Sequence, residues 1–158
     1  MVSPAKEHDE VADTRVQLEV EDWVRREWMP AHFGQRFRRE RVPLIGGGVF
    51  DFDALGEDDA TVATISTSGA SMAGGKLAVG KLLKIRSDML FLLLAKATRR
   101  VVVLTEPDMY RLCIKEKEGG RVPPNIEFVQ ATIPDHLACK LREAKRLASK
   151  EVSPGKRE

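Results

Sequence analysis

The sequence predicts an α/β domain in which a strand meander and βαβ units form one mixed sheet with helices on both faces. Three observations predict it. Residues 49–55 and 60–67 are short, rich in β-branched and aromatic residues, and joined by the turn Gly56-Glu57-Asp58-Asp59, which is the pattern of a hairpin. Residues 101–105 form a continuous apolar run after Arg99 and Arg100, the pattern of a strand covered on both faces. Helical spacing fills the intervals before, between and after these segments, so strands and helices alternate through the second half.

Each element follows in order. Residues 1–14 are polar and aperiodic and read as a flexible tail, with a single domain over 15–150 and a second charged tail over 151–158. Val20, Trp23, Val24 and Trp28 are spaced for an amphipathic helix over residues 16–32, which Pro30 and Gly34 end. The basic run Gln35-Arg36-Phe37-Arg38-Arg39-Glu40-Arg41-Val42 leads into a Pro43 turn and Gly46-Gly47-Gly48. In 49–55, Phe50, Phe52 and Ala54 alternate with Asp51 and Asp53, so period two puts both aspartates on one face. A small, Gly-rich loop follows at 68–75, then a largely buried apolar helix over 76–97. Pro107-Asp108 opens a helix to Glu118, stopped by Gly119-Gly120, and residues 126–133 form another strand. Pro134-Asp135 starts the last helix, which carries Leu137, Leu141 and Ala144 on one face to about Lys150.

Composition excludes several functions. The 158 residues carry 26 basic and 24 acidic side chains, so nucleic-acid binding needs local clusters rather than bulk charge. Cys113 and Cys139 are isolated and belong to no C-x-x-C, which argues against a disulfide framework or a zinc site and suits a reducing cytoplasm. No signal-like apolar run opens the chain. The most apolar stretch, 77–97, carries Lys81, Lys84, Arg86, Asp88 and Lys96, too many charges for a membrane span. No membrane partner is expected.

Other features read as structural. His8, His32 and His136 lack ligand spacing, and Cys113 sits on the apolar side of its helix. Gly46 to Gly48 is a turn without the pattern of a P-loop. Ser66-Thr67-Ser68-Gly69 is a polar loop without a nucleophile elbow. Lys140, Arg142, Lys145, Arg146 and Lys150 make the last helix basic, interrupted by Glu143 and followed by Glu151. Asp51 and Asp53 are either a solvated strand face or a pair of metal ligands.

The element order, with Asp53 on the second strand of a meander and Thr64-Ile65-Ser66 in the same hydrophobic frame on the next, resembles the PD-(D/E)XK superfamily of restriction-endonuclease-like nucleases. The resemblance covers residues 16–105. It implies a restriction-endonuclease-like fold and a site in which Asp53, with Asp51 as an accessory acid, holds Mg²⁺ through carboxylate oxygens. The ion would activate water and neutralise phosphate charge. The sequence departs from the pattern where an acid and a lysine belong, because Thr64 and Ser66 stand there. Lys76, Lys81 or Lys84 from the following helix is then the displaced lysine, and Glu57, Glu21 and Asp22 are the other nearby acids. Arg36, Arg38, Arg39 and Arg41 are expected to meet nucleic-acid phosphates.

Two other classes are kept. A non-enzymatic interaction module, homodimeric, would expose an apolar patch around Trp23, Trp28 and Phe33. A nucleotide-binding protein would set the loop 66–75 at a helix N-terminus.

Overall fold

The computed structural model describes the backbone of residues 4–72 and 74–152, with side chains from residue 14 to residue 149 apart from 73. In chain order the elements are α1 (Pro4–Trp23), a π-helical turn (Val24–Trp28), α2 (Met29–Phe33), β1 (Phe37–Pro43), β2 (Val49–Gly56), β3 (Thr61–Ser66), α3 (Val79–Leu94), β4 (Arg99–Leu104), α4 (Pro107–Glu118), β5 (Ile126–Gln130) and α5 (Asp135–Val152). The strands form one open sheet in the order β1-β2-β3-β4-β5. β1, β2 and β3 are an antiparallel meander, and β3, β4 and β5 run parallel. The α/β class and the mixed sheet are therefore as the sequence predicts.

Two apolar layers sandwich the sheet. On one side Phe52, Leu55, Val62, Val102 and Leu104 pack with Ile85, Leu92, Met109 and Cys113 of α3 and α4. On the other, Ala54, Ala63, Ile65, Val101 and Val103 pack with Val20, Val24, Leu137 and Leu141 of α1, the π turn and α5. Consecutive residues of β4 serve opposite layers, which is why that strand reads as an unbroken apolar run.

Several boundaries depart from the sequence pattern. Pro30 does not end the first helix. The chain widens into the π turn just before it and Pro30 sits in the opening turn of α2, where its missing N–H breaks no needed bond. Gly34, at φ 73°, ends the helix by donating its N–H to the Pro30 carbonyl at 2.9 Å. The helix reaches back to Pro4, into the segment read as a tail, because Ala5, Lys6, Glu7 and Glu10 are good helix formers without an apolar stripe. Residues 1–3 and 153–158 of the expected tails lie outside the described residues. The run 35–42, expected to lead into a turn, supplies edge strand β1. α3 is only half buried, with Val79, Leu83 and Leu90 each more than half exposed on its outer side. Leu-rich composition signals a helix but not whether a second layer covers it.

The β2–β3 turn is tied by one side chain. Asp58 accepts the Ala60 and Thr61 N–H groups, both at 3.0 Å, and the Thr61 hydroxyl at 2.8 Å, while the Gln35 amide reaches it at 3.1 Å. Burial would raise its pKa, but these bonds outweigh burial and hold the carboxyl down at about 2. Asp58→Ala is expected to cost about 1–2 kcal/mol at neutral pH. A depressed folded pKa stabilises above the ordinary carboxylate value of 3.8 and is lost as pH falls towards about 2. Urea denaturation of both proteins across that range should show the difference shrinking with acidification.

Candidate active site

β2 carries a bulge that reorganises its face pattern. Arg38 pairs with Leu55 but Glu40 pairs with Phe52, so Asp53 and Ala54 together oppose Arg39. The strict alternation expected for 49–55 therefore breaks after Phe52. Phe50 and Phe52 face α3, while Ala54 joins the layer under α1 and α5.

The bulge also opens the sheet. β2 pairs with β3 only at Ala54↔Ala63 and Leu55↔Val62. Beyond that point Thr64, Ile65 and Ser66 stay paired with β4 alone. The first half of β2 leans onto α3 instead. Phe50 stacks on Phe91 with centroids 4.1 Å apart, and the Ile45 N–H donates to the Leu94 carbonyl at 2.9 Å. Asp53 lies in the resulting crotch. Its carboxylate accepts the Ile65 N–H at 2.8 Å, replacing the ladder bond that parting strands would leave unmade. Its carbonyl accepts Arg25 Nη1 at 2.9 Å, so the π turn pins the bulge from the other layer.

Charges on three elements act on one another here. Glu21 on α1 has its pKa raised to about 7, first by burial and then by the Asp53 charge, with Arg25, Arg39 and Lys84 opposing. Burial also raises Asp53; the Ile65 N–H, Lys84 and Arg25 oppose, and the Asp88 charge adds to the rise. Glu21 makes no hydrogen bond or ion pair among the described residues. Lys84 Nζ donates to Asp88 Oδ1 at 2.5 Å. The Thr64 hydroxyl, on the α3 side of β3, is buried without a hydrogen-bond partner among the described residues. Such a group calls for an explanation.

The raised Glu21 sets a pH dependence opposite to that of Asp58. The folded state keeps a proton that the unfolded chain releases, so stability declines as pH rises from 4.5 to about 7. The full shift would correspond to roughly 3 kcal/mol, which partial exposure reduces to about 1–2 kcal/mol. Glu21→Gln should thus be more stable than the parent above pH 7 and no more stable below pH 4.5, read by denaturant midpoints.

The residues singled out in the sequence separate. Asp53 lies at the centre. Asp51 is exposed and forms a two-pronged pair with Arg39, at 3.2 and 2.9 Å. Lys76 is exposed in the loop before α3, and Lys81 is exposed on α3 one turn before Lys84. Neither bonds to Asp53, whereas the Lys84 charge acts on it. Arg36 approaches Glu57 at 3.9 Å, and Arg38 pairs with Glu40 at 3.0 Å and Asp59 at 2.8 Å. Arg41 has no ion pair among the described residues. On the last helix, Lys140 pairs with Glu19, Lys145 with Glu106, and Arg146 with Glu143. The Lys150 side chain, like that of His8, lies outside the described residues. Lys84 was one of three candidate lysines, Glu21 was legible only as a nearby acid, and Asp88 only as a charge breaking an apolar stretch. The lone signal was the i, i+4 spacing of Lys84 and Asp88.

The remaining candidates are accounted for by packing. Trp23, Trp28 and Phe33 are half-buried against the α1-side layer and present no open patch. His32 stacks on Trp28 at 4.5 Å. Burial pushes the Cys113 thiol up to about 11, with Glu116 adding to it. Gly46 to Gly48 close the β1–β2 turn, where Gly47 adopts φ 92°. The loop after β3 does approach the N-terminus of α4, but Asp108 occupies that end and accepts the Ala70 N–H at 3.1 Å. A phosphate there would meet a carboxylate.

Among the described residues, no three His, Cys, Asp or Glu side chains form a ready metal cage, and no helix is long and apolar enough to cross a membrane. A cleft of roughly 200 Å³ between α1 and α5, lined by Trp23, Arg26, Glu27 and His136, does not include Asp53. A second cavity, about 10 Å³ under α3 and α4, has room for about one water. No family model matches the chain, and searches of curated proteins and of solved structures find no match.

Proposed function

We propose that this chain is a divergent restriction-endonuclease-like domain that binds nucleic acid and hydrolyses phosphodiester bonds with Mg²⁺, using a site rebuilt around Glu21, Asp53 and Lys84. The observation that carries this reading is that an acid from α1, an acid from the β2 bulge and a lysine from α3 act on one another through their charges where β2 and β3 part. Thr64 and Ser66 stand on β3 where an acid and a lysine would be expected, and the neighbouring helices supply those charges instead.

The residues fit a magnesium ion. Glu21 and Asp53 are hard oxygen donors whose mutual repulsion a cation would relieve, and Mg²⁺ characteristically uses one or two carboxylates and keeps several waters. When bound, the ion supplies charge neutralisation at the phosphate and lowers the pKa of water. Asp53, oriented by the Ile65 N–H and Arg25, and Glu21 would hold it. Lys84 would place its ammonium against the phosphate. Arg41, Lys76 and Lys81, exposed and without ion pairs among the described residues, supply contacts to flanking phosphates in place of the paired Arg36, Arg38 and Arg39. The free Cys113 and Cys139 suit a cytoplasmic setting. The test is cleavage of labelled single- and double-stranded DNA and RNA with Mg²⁺, Mn²⁺ or chelator, beside Asp53→Asn.

A second reading has one observation in its favour. Val79, Leu83 and Leu90 expose an apolar stripe along the outside of α3, a surface for a homodimeric interaction module on the same fold. Sedimentation of the parent and of Leu83→Glu decides it. A dimer that Leu83→Glu dissociates supports this reading, and a monomeric parent sinks it.

A further inference from the structure

We propose that Asp88 is a positioning residue that tethers the Lys84 ammonium and holds it over the crotch where Asp53 lies. The catalytic consequence rests on the phosphodiesterase reading above; the placement does not.

Asp88 is the one charged side chain that is buried among the described residues. A buried carboxylate is costly unless it is paired. Its partner is Lys84, whose own side chain is 69% exposed while that of Asp88 is 11% exposed. Helix stability does not explain the pair. An ion pair whose lysine reaches through solvent contributes little to a helix, and an acid following its lysine by four residues is the weaker order on a helix. An apolar residue at position 88 would complete the packing of α3 at lower cost.

What the pair does is aim a cation. Ala95 bridges to Leu44 and Phe91 stacks on Phe50, so this stripe of α3 runs along β2 in the opposite direction. Lys84 lies about 10 Å along the helix from Phe91. Asp53 lies about 10 Å along the strand from Phe50. The same alignment therefore brings Lys84 to the level of Asp53. The electrostatics agree, since both Lys84 and Asp88 act on the Asp53 carboxyl. Ser66, on the strand where a lysine would be expected, is replaced by a helix-borne ammonium that needs a tether because its stem reaches through solvent.

Two measurements on the full chain test this. Lysine-selective ¹H–¹⁵N spectra should show a slowly exchanging Lys84 ammonium in the parent, assigned by its absence from Lys84→Arg. It should be lost in Asp88→Asn and recovered in Asp88→Glu. An unchanged Lys84 signal in Asp88→Asn overturns the proposal. In cleavage, Asp88→Asn should lower kcat on the order of 10- to 100-fold with KM unchanged, and adding it to Lys84→Ala should cause no further loss. Losses that multiply in the double variant would mean Asp88 acts independently of Lys84, which also overturns it. A parent without cleavage activity defeats the phosphodiesterase reading alone, and the ammonium spectra still decide whether Asp88 holds Lys84.

Discussion

Asp53→Asn is expected to abolish Mg²⁺-dependent cleavage, with a loss of about 10³-fold or more, while the fold survives. The two halves of this expectation have separate causes. Asparagine keeps an oxygen that can accept the Ile65 N–H, so the bond that closes the parted strands is retained. It removes the negative charge that would hold the ion, and stabilisation of developing charge by such groups is commonly the largest catalytic contribution. Lys84→Ala should lose less, on the order of 10²-fold, because a solvent-reaching ammonium adds to charge neutralisation without creating it. Thermal unfolding of each variant separates loss of chemistry from loss of fold. Cleavage that needs no metal, or that Asp53→Asn leaves intact, would sink the site built on Asp53. Absence of cleavage in the parent under every condition would turn attention to the exposed α3 stripe.

Phe52→Ala is expected to have the largest effect on stability, about 3–5 kcal/mol, which lowers Tm by on the order of 10 °C in a chain of this size. Phe52 is fully buried and meets Phe50 edge-on at 4.8 Å, while Phe50 stacks on Phe91 of α3. This aromatic series supports the first half of β2 after it has left β3. Removing its inner member leaves a cavity that the two remaining rings cannot fill. The loss should therefore exceed that of a similar truncation on the outer side of α3, such as Leu83→Ala, where more than half of the side chain is already in water. Equal losses for Phe52→Ala and Leu83→Ala in denaturant titrations would show that the hairpin does not depend on this packing.

The acids of the site illustrate how sequence and tertiary structure divide the information. Asp51 and Asp53 are equivalent in an alternating strand, and both presented as candidate ligands. The bulge at Asp53–Ala54 separates them, turning Asp53 into the crotch and leaving Asp51 in solvent against Arg39. One extra residue in a strand changes neither composition nor β propensity, so period two cannot detect it. Glu21 is subtler still. It lies on a helix that enters the chain well before the strands, and its distinction from Asp22 is only which side of α1 it occupies. Its raised pKa comes from burial beside Asp53, a neighbour 32 positions away in the chain.

By itself the sequence determined the class of fold, the order of strands and helices, the buried character of β4 and the bounds of α4, because these follow from local periodicity and from caps such as Pro107 and Gly119. The tertiary structure alone decided where β2 and β3 part, which lysine's charge acts on Asp53, which arginines are already paired, and that α3 keeps an open side. The physical reason is common to all four. Each depends on which surfaces meet across the fold, and a one-dimensional pattern records the surface an element offers without recording what is placed against it.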